Sequence, residues 1–211
     1  MLELLKREEV NSLRSPRLNL ELGCFMEGYC RELASIIASR EALLFGEFTL
    51  SSGLKSNYYL DLRRLLGDWS SYKRVLELLA EKVLKEFESF DVVVGVATAG
   101  IPWASGLALM LGRGLAYVRS EVKQHGTSRA VEGAPRPGSN CIVVDDVATT
   151  GSSLENAIRG LEGLCNVVGA LVIVDRMQGA GERLREHGVK LVSLLTIEEL
   201  LKCFDQSTLK H

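Results

Sequence analysis

From about residue 70 the chain alternates short apolar runs with longer amphipathic stretches. The runs are DVVVGVA (91–97), LAYV (115–118), NCIVVDD (140–146), VVGALVIVD (167–175) and VKLVSLL (189–195). They are short, rich in β-branched residues and apolar at nearly every position. That is the pattern of strands buried on both faces. Helical patterns lie between and around them at 70–88, 101–111, 152–164, 179–187 and 196–203. Such alternation predicts an α/β domain with a doubly wound, mostly parallel sheet flanked by helices. Ligands of such sheets sit beyond the carboxyl ends of the strands.

The N-terminal third breaks this rhythm. Residues 26–42 read as a helix, and GEFTLSSGLKSNYYLDLRR (46–64) follows, rich in aromatics, serine and glycine. This part, 26–68, is expected to form a small hood over a core spanning 69–211. Residues 1–25 read as an extension of uncertain order, since Met26 could itself open the chain. The segment RSEVKQHGTSRAVEGAPRPGS (119–139) links two strands with no apolar period. A structureless connection of that length inside a compact domain is uncommon and points to a functional lid. Arg119, Lys123, His125, Arg129 and Arg136 make it a cationic arm.

Composition narrows the classes. The 211 residues are 46% hydrophobic and 25% charged, which suits one globular domain. A net charge of −2 gives no footing for a nucleic-acid or membrane partner. No apolar run approaches the ~18 residues a membrane span needs. The start, MLELLKREEVNSLR, lacks the apolar core of a secretory signal. The five cysteines (24, 30, 141, 165 and 203) form no CxxC pair. They are expected to be reduced thiols of a cytoplasmic protein, with no zinc site.

The chemistry concentrates in CIVVDDVATTGSS (141–153), where a buried strand runs into Asp145 and Asp146 and then a turn of threonines, glycine and serines. A helix beginning near Ser152 offers unpaired N–H groups and the positive end of its dipole. Gly151 admits close approach, and the hydroxyls of Thr149, Thr150, Ser152 and Ser153 add donors. Such a loop suits a phosphate monoester. The acids suit sugar hydroxyls, a metal shell or a developing positive charge. An acid pair capping a helix before an ordinary turn is the plainer reading. No GK[ST] follows a glycine-rich turn, so the loop is not a Walker A motif.

VVDDVATTGSS resembles the phosphoribosyl pyrophosphate (PRPP) motif of type I phosphoribosyltransferases. FTLSSGLKSNYYLDLR (48–63), RSEVKQHG (119–126) and VDRMQGAGERL (174–184) are similar, in that order, to the N-terminal segment, mobile loop and base-binding strand end of the orotate phosphoribosyltransferase family. The resemblance implies the type I phosphoribosyltransferase fold and transfer of the phosphoribosyl group from PRPP to orotate, a step of pyrimidine synthesis. It implies that Asp145 and Asp146 grip the ribose hydroxyls and stabilise the sugar cation. Val147, Ala148, Thr149, Thr150, Gly151, Ser152 and Ser153 would cradle the 5′-phosphate. Arg176 would pair with the orotate carboxylate, with Thr149, Tyr58 and Tyr59 nearby. Arg119, Lys123 and His125 would meet the diphosphate from the other subunit of a homodimer, Lys123 and His125 acting catalytically. Mg²⁺ would be held mainly by PRPP and water. The sequence departs from the pattern of many bacterial relatives at Ser51, Ala99 and Ser120, where those carry lysine; Lys55 is a candidate replacement. A purine or uracil phosphoribosyltransferase and a PRPP- or nucleotide-binding regulator are the alternatives. The hood and Arg176 argue against the first; the missing basic face and helix-turn-helix extension argue against the second. His187 and His211 read as surface residues.

Overall fold

The computed structural model describes the backbone of residues 16–49, 55–119 and 130–208, and side chains between 28 and 204 within those ranges. In chain order the elements are α1 (Pro16–Ser39), β1 (Leu43–Thr49), β2 (Lys55–Leu60), a 3₁₀ turn (Leu62–Gly67), α2 (Trp69–Glu86), β3 (Val92–Val96), α3 (Gly100–Leu111), β4 (Gly114–Val118), β5 (Val131–Glu132), β6 (Asn140–Ala148), α4 (Ser152–Gly160), β7 (Asn166–Asp175), α5 (Ala180–Arg185), β8 (Leu191–Thr196) and α6 (Ile197–Thr208).

The main sheet has the order β5-β4-β3-β6-β7-β8. All neighbours are parallel except β5, which runs antiparallel to β4. The five apolar runs are the five parallel strands, and their alternation sorts side chains between two cores. Val93, Ile142, Val144, Leu171 and Ile173 face α1, α2, α3 and α6. Val94, Cys141, Val143, Ala170 and Val172 face α4 and α5. Helix α2 starts where the Asp68 side chain accepts from the Ser71 N–H at 2.8 Å. It buries the stripe Val75, Leu76, Leu79 and Val83 against the sheet. Each such side chain contributes about 1.5–3 kcal/mol by leaving water.

The hood region contains an antiparallel hairpin, β1 with β2, that pairs Leu43 with Leu60 and Phe45 with Tyr58. Among the described residues it has no core of its own. Leu33, Ile37, Leu43, Leu62 and Leu65 pack into the same cluster as α2 and the sheet. Helix α1 begins at Pro16, ten residues before Met26, and continues unbroken across it.

Two expectations need correction. The 119–139 segment is not structureless throughout. Val131 and Glu132 pair with Val118 and Tyr117, and the Arg119 N–H donates to the Ala130 carbonyl at 2.9 Å. Nor are the thiols all reduced: Cys30 is bonded to Cys203, and Cys141 to Cys165. Sequence separations of 173 and 24 residues conceal both contacts. The first arises because α1 lies against α6. The second arises because parallel pairing sets the start of β6 beside the start of β7, Cys141 opposite Val167.

Candidate active site

The sheet order reverses between β3 and β6: the chain leaves β3 for β4 on one side and returns to β6 on the other. At such a switch point the connections diverge and open a crevice beyond the strand ends. A cavity of about 620 Å³ occupies it, lined by Thr49, Tyr59, Leu60, Asp61, Arg63, Ala99, the run Asp145–Leu154, and Arg176.

Asp145 and Asp146 form its floor. Asp145 is 8% exposed. The Asp146 N–H donates to Asp145 Oδ1 at 2.9 Å, and the Val147 N–H to Asp146 Oδ1 at 2.8 Å. Burial pushes the Asp145 carboxyl well above its usual range, and the Asp146 charge beside it pushes further. Burial also raises Asp146, while Arg63 works against that rise. Two acids held this close, one buried and one half-buried, are primed for donors or for positive charge.

Space for them exists because Gly100 has no side chain. A Cβ there would stand 2.3 Å from the Val144 carbonyl oxygen and 3.2 Å from Asp145 Oδ1. Gly151 is required twice. Its φ of 80° is left-handed, and a Cβ would meet the Ala180 Cα at 2.9 Å. The chain then enters α4, whose first-turn N–H groups have no partner within the helix. Thr150 Oγ1 and Ser152 Oγ lie 3.0 Å apart. Arg183 braces the turn from behind, donating from Nε to the Thr150 carbonyl at 2.7 Å and from Nη1 to Glu155 at 2.7 Å. His187 Nε2 lies 3.1 Å from the same carboxylate, so it is a half-buried member of this brace rather than a bare surface residue. The contacts of Arg183, then His187, hold Glu155 down at a pKa of about 2.

Arg176 closes the opposite end. Its backbone N–H donates to the Ala148 carbonyl, which sets it level with the end of β6. The residue is 8% exposed. Nε donates to Tyr58 Oη at 3.3 Å and Nη2 to Ser56 Oγ at 3.1 Å. The guanidinium carbon lies 4.6 Å from the Tyr58 ring centre. No carboxylate pairs with it among the described residues.

The sequence-predicted residues therefore divide. Asp145 to Ser153, Arg176 and Tyr59 share the cavity. Tyr58 is absent from the lining and stacks on Arg176 instead. Arg119, at the end of β4, donates to Glu132 at 3.1 Å and does not line the cavity. Lys55 begins β2 opposite the lining residue Thr49 and is not itself part of the lining. Ser51, Ser120, Lys123, His125, Arg129 and His211 lie outside the described residues. Thr49, Asp61, Arg63 and Ser56 were not foreseen as site residues; the signal for the last three was their place in the same aromatic segment as Tyr58 and Tyr59.

A phosphoribosyl transferase domain matches residues 66–197. The chain is 50% identical over 171 residues to the orotate phosphoribosyltransferase of Aeropyrum pernix, covering 81% of this chain and 91% of that one. The crystal structure of an orotate phosphoribosyltransferase from that organism superposes with a TM-score of 0.76 at 48% identity, over 82% of this chain and 98% of the other. An orotate phosphoribosyltransferase of Mycobacterium tuberculosis H37Rv, in complex with PRPP, gives a TM-score of 0.66 at 28% identity, over 82% and 98%.

Proposed function

The chain belongs to the orotate phosphoribosyltransferase family, and from that premise we propose how its cavity carries the reaction. The enzyme transfers the 5-phosphoribosyl group of PRPP to orotate, giving orotidine 5′-phosphate and pyrophosphate, within pyrimidine synthesis. The observation that carries the base assignment is Arg176, a cation buried on the cavity wall with no acidic partner among the described residues. An unpaired buried charge is costly. A planar carboxylate on the incoming base resolves that cost with two parallel hydrogen bonds. Tyr59 lines the same region, while Tyr58 and Ser56 hold the guanidinium plane.

The place of the Thr149–Ser153 turn and the acid pair in one cavity supports their roles. The N-terminus of α4 and the hydroxyls of Thr149 to Ser153 bind the 5′-phosphate, with Val147 and Ala148 supplying backbone along it. Asp145 and Asp146 accept from the ribose hydroxyls. As the diphosphate leaves the anomeric carbon, the sugar gains positive charge, which this acid pair stabilises, and the orotate nitrogen bonds to that carbon. Lys123, His125 and Arg119 neutralise the departing diphosphate. For that, Arg119 must leave Glu132. The loop comes from the partner subunit of a homodimer, and its closure excludes water from the reacting carbon.

The acid pair and its neighbouring hydroxyls are hard oxygen donors, the kind that suits Mg²⁺. Among the described residues no cluster of three or more His, Cys, Asp or Glu forms a dedicated cage. The ion's shell would therefore be completed by PRPP and water. Bound there, Mg²⁺ supplies charge neutralisation on the diphosphate.

We assign the enzyme to the cytoplasm. No helix among the described residues is long and apolar enough to cross a membrane. Intracellular disulfides are uncommon but do occur, so the two bridges are compatible with that placement.

The test is loss of orotate absorbance with purified protein, PRPP and Mg²⁺, with adenine, hypoxanthine and uracil run in parallel. Turnover with orotate alone is expected. Turnover with another base instead would overturn the reading of Arg176, and stabilisation by an operator fragment without any turnover would favour a regulator. Sizing chromatography should show a dimer; a monomer would remove the shared loop.

A further inference from the structure

The cavity walls carry two cations among the described residues, Arg176 and Arg63. Arg63 has no place in the assignments above. It stands in the 3₁₀ turn directly after β2. Its Nε donates to Asp61 Oδ1 at 2.6 Å, and its Nη2 to Tyr59 Oη at 3.3 Å. These contacts hold one edge of the guanidinium. Nη1 has no hydrogen-bond partner among the described residues, and 56% of the side chain is exposed. The group is thus oriented but open. Its field reaches Asp146 and counters the rise that burial imposes on that carboxyl.

The substrates bring three anionic groups into this cavity: the orotate carboxylate, the 5′-phosphate and the diphosphate. The carboxylate goes to Arg176, and the 5′-phosphate to the N-terminus of α4. Arg119, Lys123 and His125 reach the diphosphate from the partner subunit, and on the described wall of the cavity itself only Arg63 is left for it. Its position fits chemically, because it borders the acid pair that grips the ribose hydroxyls. One of those hydroxyls sits on the carbon next to the anomeric carbon, which bears the diphosphate.

We propose that Arg63 is a further substrate-binding residue: its Nη1 edge takes an anionic oxygen of the PRPP diphosphate, with Asp61 and Tyr59 as positioning residues. The hood would then contact both substrates, the base through Tyr59 and the donor through Arg63. This rests on the phosphoribosyl-transfer reading of the cavity.

Calorimetric titration keeps the two readings apart, because it needs no turnover. The full-length protein with Mg²⁺ is titrated with PRPP and with ribose 5-phosphate, which lacks the diphosphate. Wild type, Arg63→Ala, Arg63→Gln, Arg63→Lys and Asp61→Asn are compared, each with its melting temperature. Arg63→Ala and Arg63→Gln should weaken PRPP at least tenfold, as expected for loss of a charge-assisted hydrogen bond. Ribose 5-phosphate should change less than twofold, and Arg63→Lys should recover part of the loss. Asp61→Asn should give a smaller loss of the same selectivity. Equal weakening of both ligands, or no weakening of PRPP in the folded Gln variant, overturns the proposal. If wild type binds PRPP but turns over no base, the functional reading fails while the Arg63 comparison still stands.

Discussion

Reduction of the two disulfides is the perturbation that most directly separates chain connectivity from packing. Cys30–Cys203 closes a loop of 173 residues and Cys141–Cys165 one of 24. The loop-closure relation, in which lost entropy grows with the logarithm of loop length, gives about 5 kcal/mol for the first and about 3.5 kcal/mol for the second. The small loop lies inside the large one and shortens it only slightly, so the logarithm barely changes and the two contributions nearly add. Observed values usually fall short of that limit, and removal of a native bridge typically costs about 2–5 kcal/mol. Cys30, Cys141 and Cys203 are buried and Cys165 is half-buried; as thiols they behave as small hydrophobes, so reduction opens no cavity. The effect should therefore come mainly from the unfolded chain. Guanidinium unfolding with and without dithiothreitol should show a fall of a few kcal/mol. The melting temperature should drop by roughly 10 °C, since 1 kcal/mol moves a chain of this size by about 2–4 °C. Activity at 25 °C should survive, because neither bridge lines the cavity and Cys141 lies at the far end of β6 from Asp145. Thiol titration in denaturant without reductant should detect Cys24 alone. Five titratable thiols, or unfolding curves that ignore the reductant, would refute the reasoning.

Ser56→Ala should remove one acceptor from the buried Arg176 guanidinium, a hydrogen bond worth about 1.5–3 kcal/mol when one partner is charged. The KM for orotate should rise roughly tenfold with the KM for PRPP unchanged, and Ser56→Thr should restore much of it; equal effects on both substrates would count against the positioning role. Gly100→Ala should push the end of β6 and Asp145 outward, costing about 1–3 kcal/mol of stability as an overpacked core does and abolishing turnover; wild-type melting and kinetics would show that the close approach is tolerated. Lys123→Ala should lower the turnover rate at least tenfold with the melting temperature unchanged, and an unaltered rate would take Lys123 out of the mechanism. Asp145 has a folded pKa raised above its ordinary value of 3.8, so its neutral form favours the folded state. That contribution is fully present below about pH 4 and is lost as pH rises through the folded pKa. Asp145→Asn should therefore raise the melting temperature at pH 7 while abolishing turnover; melting curves in which the variant is the less stable protein at pH 7 would contradict the assignment.

Much of the architecture is legible in the chain because burial on both faces leaves a local trace. Val92–Val96, Cys141–Val144 and Val167–Val174 are apolar at nearly every position, and no solvated strand can be so. The acid pair and hydroxyl turn also announce themselves, since the end of a strand and the helix N-terminus after it are built from consecutive residues. Arg176 could be singled out by type and context, but not its surroundings. Its plane is held by Tyr58 and Ser56, which lie 118 and 120 residues away.

What the sequence by itself determined was therefore what near neighbours carry: the parallel strands, the helices between them and the turn of hydroxyl residues after Asp146. Tertiary structure alone decided the rest. It joined Cys30 to Cys203 and Cys141 to Cys165, split Tyr58 from Tyr59 so that one braces Arg176 and the other lines the cavity, drew Val131 and Glu132 into the sheet edge, and set Arg63 in the same cavity wall as Asp146. The physical reason is the same in each case. Strand periodicity and helix capping act over a few residues, whereas contacts between distant segments depend on the order in which strands pair and on how elements pack across the sheet.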